Sequence, residues 1–211
     1  MIGRVMGLLV SACAMVAPMA AHATSVEKIR NEKVVVTEDS LQPGESENLS
    51  PQHATLVVSM SDGVALDKTL RSRWNAAGMK GSASYFPPGS RPLRNFGKIP
   101  LHFARIEFLT GGRDEKWGMT GLPPNYRILR EDRYARTYEI RIPAGAYEQK
   151  HTHHARVVVT LQGAELEHIL PDGTKQPSTL KTGEIAWREG ATHTGHNMGN
   201  TDLWVIAVEP K

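Results

Sequence analysis

An all-β fold of two tandem small barrels is the class this sequence predicts, and three observations predict it. Short runs of β-branched and aliphatic residues, the composition of strands, recur at 34–36, 56–58, 140–142, 157–159 and 203–206. Turn-forming clusters separate them at 42–44, 61–63, 87–89, 171–173 and 198–200, each containing a glycine. The chain also matches itself. Asn95, Gly97, Leu101, Ile106 and Glu107 recur as Asn197, Gly199, Leu203, Val208 and Glu209, an offset of 102. Gly44 falls on Gly145, Gly81 on Gly183 and Gly89 on Gly190. A period this long exceeds a solenoid repeat and suits a pair of small domains. Many short strands between turns suit a sandwich or barrel.

The elements then follow in order. Residues 1–23 form a signal peptide. Arg4 gives a basic start, Val5 to Ala17 is mostly apolar, and Ala21-His22-Ala23 fits the small-x-small rule, with cleavage before Thr24. The apolar run is broken by Pro18 and too short for a transmembrane anchor. A competing cleavage box, Val10-Ser11-Ala12-Cys13, would leave Cys13 lipidated. The protein is thus expected in the periplasm or outside the cell. Residues 24–30 are read as a loose lead-in to an N-terminal barrel spanning 24–110. Residues 111–131, rich in Gly, Pro and charge, are read as a connection to a C-terminal barrel at 132–211.

Composition excludes several function classes. Arg4 is the only charged residue before Thr24, which leaves 24 basic against 22 acidic side chains. There is no basic patch with interleaved aromatics, so nucleic acid and anionic membranes are poor partners. A small molecule is the expected partner. Cys13 is the only cysteine of the chain, so the exported form has none. Disulfides and thiolate ligands are excluded, and any metal must take nitrogen and oxygen donors.

Six of the nine histidines lie between His151 and His196. His151 and His153 are two apart, so on a strand they share a face. Reading that strand on by parity, Ala155, Val157, Val159 and Leu161 join them on an inward face. His154, Arg156, Val158 and Thr160 fall on a mixed outward face, exposed or against the other barrel. Two imidazoles in an apolar lumen need a partner, and a divalent metal satisfies both. A distant third histidine, from the group at His193 and His196, would complete a metal pocket. His154 points away by parity, with His168 and His196 in reserve. Glu148 and Gln149 are expected in a solvated loop, and Trp187 in core packing. Arg188 is read either as a surface residue or as a contact for an anionic substrate.

These residues resemble the two motifs of the cupins, double-stranded β-helix or jelly-roll barrels. Gly145, His151, His153 and Gly163 match the first motif, and Gly183, Gly190, His193 and Asn197 match the second. With the repeat, the chain is similar to an exported bacterial bicupin over 31–108 and 132–211. There are departures. Arg188 stands for a proline and the second motif is one residue short. Val157 and Val158 stand where a glutamate ligand belongs. The N-terminal unit keeps only His53, which falls on His153 or His154 depending on the alignment, and has Pro92 opposite His193. The resemblance implies metal in the C-terminal barrel alone, held by His151, His153 and His193. Fe(II) is favoured, with Mn, Zn, Ni or Cu also compatible. Three-histidine iron cupins include thiol and diketone dioxygenases, so a metal-dependent enzyme, dioxygenase-like or an isomerase or lyase, is the leading expectation. A non-catalytic metal-binding or ligand-binding cupin is the alternative, and a storage-type bicupin without ligand a third. Cupins commonly dimerise, so the resemblance is compatible with a homodimer. It names no catalytic residue.

Overall fold

The β-branched runs all become strands. The computed structural model describes residues 24–49, 52–63, 65–67, 75–77, 79–89 and 91–211, and among these every regular element is β. The signal peptide and Cys13 lie outside the described residues. No helix among the described residues is long and apolar enough to cross a membrane.

Nine strands form the first half: β1 (Thr24–Arg30), β2 (Val34–Leu41), β3 (Ser46–Leu49), β4 (Thr55–Ser59), β5 (Ala65–Asp67), β6 (Asn75–Ala77), β7 (Ala83–Phe86), β8 (Arg91–Asn95) and β9 (Leu101–Phe108). They make a five-stranded sheet I, in the order β1-β2-β9-β4-β7, and a four-stranded sheet II, β3-β8-β5-β6. Nine more follow: β10 (Arg127–Glu131), β11 (Ala135–Ile142), β12 (His151–His153), β13 (Arg156–Gln162), β14 (Ala164–Ile169), β15 (Lys175–Leu180), β16 (Ile185–Arg188), β17 (Ala191–Asn197) and β18 (Leu203–Pro210). Sheet III runs β10-β11-β18-β13-β16 and sheet IV β12-β17-β14-β15. The second half therefore repeats the strand order of the first. The four sheets are open and antiparallel, facing each other in pairs as a jelly roll does.

The repeat reaches single hydrogen bonds. Asn95 and Asn197 are both fully buried. Asn95 Nδ2 donates to Leu41 O (2.9 Å) and Ile99 O (2.8 Å), and its Oδ1 accepts from Gly97 N. Asn197 Nδ2 donates to Ile142 O (3.0 Å) and Thr201 O (2.8 Å), and its Oδ1 accepts from Gly199 N. Each asparagine ties the end of one strand to the turn after its own. Gly81 and Gly183 share φ = 84° and donate to the equivalent carbonyls of Ser59 and Thr160. That left-handed backbone favours glycine. Asn197→Ala strands the buried carbonyl of Ile142 and releases that of Thr201, and is expected to destabilise the fold by about 1–3 kcal/mol. Urea denaturation reads this, and a change within error would show that the clamp is dispensable.

Apolar side chains fill three layers. Leu41, Val57, Leu93 and Phe103 fill the space between sheets I and II. Tyr138, Ile140, Val158, Leu166 and Val205 fill that between III and IV. The third layer joins the halves: Val34, Val36, Leu56, Val58 and Ile106 of sheet I pack on Val157, Val159, Leu161, Ile206 and Val208 of sheet III.

This layer corrects the parity reading. Val157, Val159 and Leu161 face the other half, whereas Arg156 and Val158 face the interior of their own. The inward face switches from odd to even because β12 and β13 are not one strand. The chain leaves sheet IV at His154 and Ala155 and enters sheet III at Arg156. Two other readings change. Residues 24–30 are no loose lead-in: they pair with β2 as β1. Arg127–Glu131, counted in the connection, pairs with β11 as β10.

Candidate metal centre

Strands β12 and β17 of sheet IV bring the three predicted ligands together. Their register sets His151 opposite His193, and alternation puts His153 on the same face as His151. All three side chains are buried. One ring nitrogen from each lies within 4.8 Å of the others.

The hydrogen bonds fix which nitrogens are free. His151 Nδ1 meets the carbonyl of Gln149 at 2.7 Å, so it carries the proton and Nε2 is bare. Tyr138 has one hydroxyl proton and gives it to Glu209 Oε1 (2.9 Å). Its oxygen therefore accepts from His153 Nδ1 (2.8 Å), which leaves Nε2 of His153 bare as well. The two bare nitrogens face each other at 3.0 Å. Two lone pairs repel at that distance unless a cation lies between or beside them.

Glu209 anchors this arrangement. It is fully buried, its Oε2 accepts from Arg136 Nε at 2.7 Å and from Nη2, and its Oε1 accepts from the His154 amide at 3.0 Å. Arg136, equally buried, also donates to the carbonyls of Gly118 (3.0 Å) and Thr120 (2.8 Å). Burial opposes ionisation of Glu209, but His153, Arg136 and Tyr138 together hold its carboxyl below the usual range. Such outer partners orient metal-binding imidazoles.

Burial lowers all three histidines. His151 falls below its ordinary value. His153 drops to about 3, with Glu209 resisting and Arg156 assisting. His193 drops to about 2, through burial and then through His168, His151 and His153 beside it. All three are neutral at physiological pH, the protonation state that binds metal.

The remaining predicted histidines are elsewhere. His154 is exposed and stacks on Trp117. His196 alternates outward on β17 and stacks on Tyr147 at 3.7 Å. His168 lies against His193 at 4.3 Å and lines the cavity, but is not among the three converging ligands. Trp187 packs against the layer between the halves.

Three lumen residues were missed or misplaced by the sequence reading. Glu148 is buried rather than solvated. Its Oε1 accepts from Tyr126 Oη at 2.6 Å and its amide bonds to Gly195 O at 2.8 Å. A Cβ at residue 195 would collide with Glu148 Oε2, so Gly195 makes room for the carboxyl. Burial raises that carboxyl to about 7, although Tyr126 and Arg156 pull it down. Tyr126 comes from the segment read as a connection. Arg156, expected on an outward face, is buried and lines the cavity. A cross-strand alternation count begun at Arg156, rather than at His151, would have placed it correctly. The signal for Arg136 is its lone charge on the face it shares with Tyr138, Ile140 and Ile142.

The cavity above the imidazoles measures about 290 Å³ and is lined by Glu148, His153, Arg156, His168, Arg188 and His193 among others. That size suits a small metabolite.

In the N-terminal half the register places His53 between β3 and β4, at the position of His154. Counting back four residues from each clamping asparagine sets Arg91, beside Pro92, where His193 stands. No converging histidine cluster occurs there among the described residues.

No protein-family model and no curated protein sequence matches the chain. Solved structures do. AerE from Microcystis aeruginosa superposes with a TM-score of 0.61 at 12% identity, covering 93% of this chain and 95% of that one. A cupin 2 conserved barrel domain protein from Leptotrichia buccalis gives 0.59 at 11% identity, covering 93% of each chain. Salicylate 1,2-dioxygenase from Pseudoaminobacter salicylatoxidans, solved as adducts with gentisate, gives 0.55 at 10% identity over 84% of this chain and 68% of that one. Likeness at such identities speaks for architecture, and with the sheet order described above it gives this chain the jelly-roll fold of the cupins.

Proposed function

We propose that this chain is an exported bicupin carrying one divalent transition metal, held by His151, His153 and His193 in its C-terminal barrel, and that it acts as a metal-dependent enzyme on a small molecule. The observation that carries the reading is the 3.0 Å approach of two bare Nε2 atoms in a buried site. That spacing lets both reach one ion at bonds of about 2.1 Å. Fe(II) is the favoured ion, and the all-nitrogen set also accepts Mn, Zn, Ni or Cu. When bound, the ion supplies a Lewis acid or a dioxygen-activating centre with open positions. The N-terminal barrel, with no such cluster among its described residues, serves as the packing partner. Residues 1–23 direct export to the periplasm or beyond.

The chain's own residues have distinct tasks. Glu209 and Arg136, through Tyr138, orient His153. Gln149 does the same for His151 through its carbonyl. Glu148, poised at about 7 by burial, holds or accepts a proton at Oε1 or Oε2, and is the general acid–base candidate. Tyr126, donating to Oε1, fixes the carboxyl in place. A binding protein without turnover is the second reading. It is favoured by Val157, which occupies the place of a carboxylate ligand and faces away from the lumen.

Metal analysis of the full chain tests the metal. One ion per chain is expected, and His153→Ala is expected to retain less than about a tenth of it. Metal absent after reconstitution at neutral pH would sink both metal readings and leave only a metal-free ligand binder. Dioxygen uptake with catechol, thiol and diketone panels separates them. Uptake lost in His153→Ala marks an oxygenase, and stoichiometric metal without turnover marks a binder.

A further inference from the structure

The cavity is lined by a buried cation, Arg156, with no carboxylate hydrogen-bonded to it. Arg156 is only 8% exposed, yet its Nε has no hydrogen-bond partner. Its hydrogen bonds among the described residues are two long ones from Nη1, to His154 O (3.4 Å) and Glu189 O (3.3 Å). Glu148 in the same cavity and Glu209 act on it through space, but neither is hydrogen-bonded to it. A buried guanidinium with an unpaired Nε is costly and leaves a donor for an anion. Arg188 stands directly opposite it across the β13–β16 ladder and lines the same cavity, adding a second positive charge. Glu184 engages Arg188 (3.3 Å) but not Arg156. The equivalent cross-strand pair in the N-terminal half is Thr55 and Phe86, so the two arginines belong only to the half with the imidazoles.

We propose that Arg156, supported by Arg188, is a carboxylate-binding subsite facing the three histidines, and that the molecule taken up here is a small organic acid. The planar fork of arginine matches a carboxylate with two parallel hydrogen bonds. The cavity of about 290 Å³ admits a small organic acid. The proposal names the substrate class for the small-molecule reading above and rests on it.

The test is calorimetric titration of the full chain with acetate, pyruvate, malonate and salicylate, each against its neutral amide. It is run on the protein as purified and after dialysis against a chelator. At least one acid is expected to bind in both states, with its amide at least about tenfold weaker. Arg156→Met should lose about tenfold or more in acid affinity, Arg156→Lys less, and Arg188→Gln less again. Removing an orphan charge should leave the fold intact, which circular dichroism checks. If Arg156→Met does not fold, Arg156→Lys and the acid–amide contrast decide. No acid preference anywhere in the panel, or full acid affinity in Arg156→Met, would falsify the subsite. Acid binding lost with the metal but kept in Arg156→Met overturns it while leaving the metal reading intact. Acid binding in a chain that takes up no metal does the reverse.

Discussion

Replacing Arg136 with methionine is expected to destabilise the folded chain by about 3–5 kcal/mol. Methionine fills much of the volume, so the effect is electrostatic rather than a cavity. Arg136 and Glu209 are both 0% exposed, and Arg136 is the cation on Glu209 Oε2. Without it Glu209 stays in a dry interior with Tyr138 and the His154 amide as its remaining donors. Breaking a buried pair from one side leaves an uncompensated charge, which costs far more than the intact pair contributes. The control is the double variant Arg136→Met with Glu209→Leu, which removes both charges and should recover much of the loss. Guanidinium denaturation measures each. A single-variant loss below about 1 kcal/mol would mean that water or a shifted donor takes the place of Arg136. The double variant should still bind metal less tightly, by about 10–100-fold, because His153 loses the chain of bonds that orients it.

Stability of the metal-free chain is expected to fall steeply below pH 6.5. The folded state holds His151, His153 and His193 neutral, the latter two down to about 3 and about 2. The unfolded chain protonates each near 6.5. Unfolded protein therefore binds more protons below 6.5, so stability rises with pH through that window and is lost as pH drops. Each such imidazole contributes a slope of up to about 1.4 kcal/mol per pH unit. Glu148 works the other way. Its folded value of about 7 exceeds the ordinary 4.5, so its contribution falls as pH rises between those limits. Three imidazoles outweigh one carboxyl, and the net slope stays positive. Thermal melts from pH 7.5 to 4.5 after chelation read it directly. A flat or inverted profile would show that the imidazoles are not held neutral. Glu148→Gln should steepen the curve by removing the opposing contribution.

Much of this was legible in the sequence, for identifiable physical reasons. The strand runs and glycine turns are local, and each became a strand or turn. The repeat located Asn95 and Asn197, whose clamps are among its most closely matched features. The three candidate ligands share one strand face or one register position; spacing paired His151 with His153, and the cupin resemblance supplied His193. What failed was parity carried too far. Period-2 reasoning assumes one continuous strand, and the chain changes sheets at His154 and Ala155. From there every inward and outward assignment was reversed, which hid Arg156. Tyr126 and Glu148 escaped for another reason. They lie in irregular segments whose burial depends on what packs over them, and no pattern within those segments records it. Edge strands β1 and β10 carry few core residues, so hydropathy gave them little signal.

The apolar layer between the halves has a consequence for how such a chain arises. Val34, Leu56, Val58 and Ile106 on one side occupy the positions that Ala135, Val157, Val159 and Val208 occupy on the other. The same patch on the same strands faces its own counterpart. That is the form of a two-fold contact between identical subunits, made permanent by a peptide connection. A lone C-terminal half would present a flat valine-rich sheet face to water and would seek a copy of itself. The N-terminal half covers that face. Its outer surface thus carries a structural task that its interior, without a converging histidine cluster among the described residues, does not share.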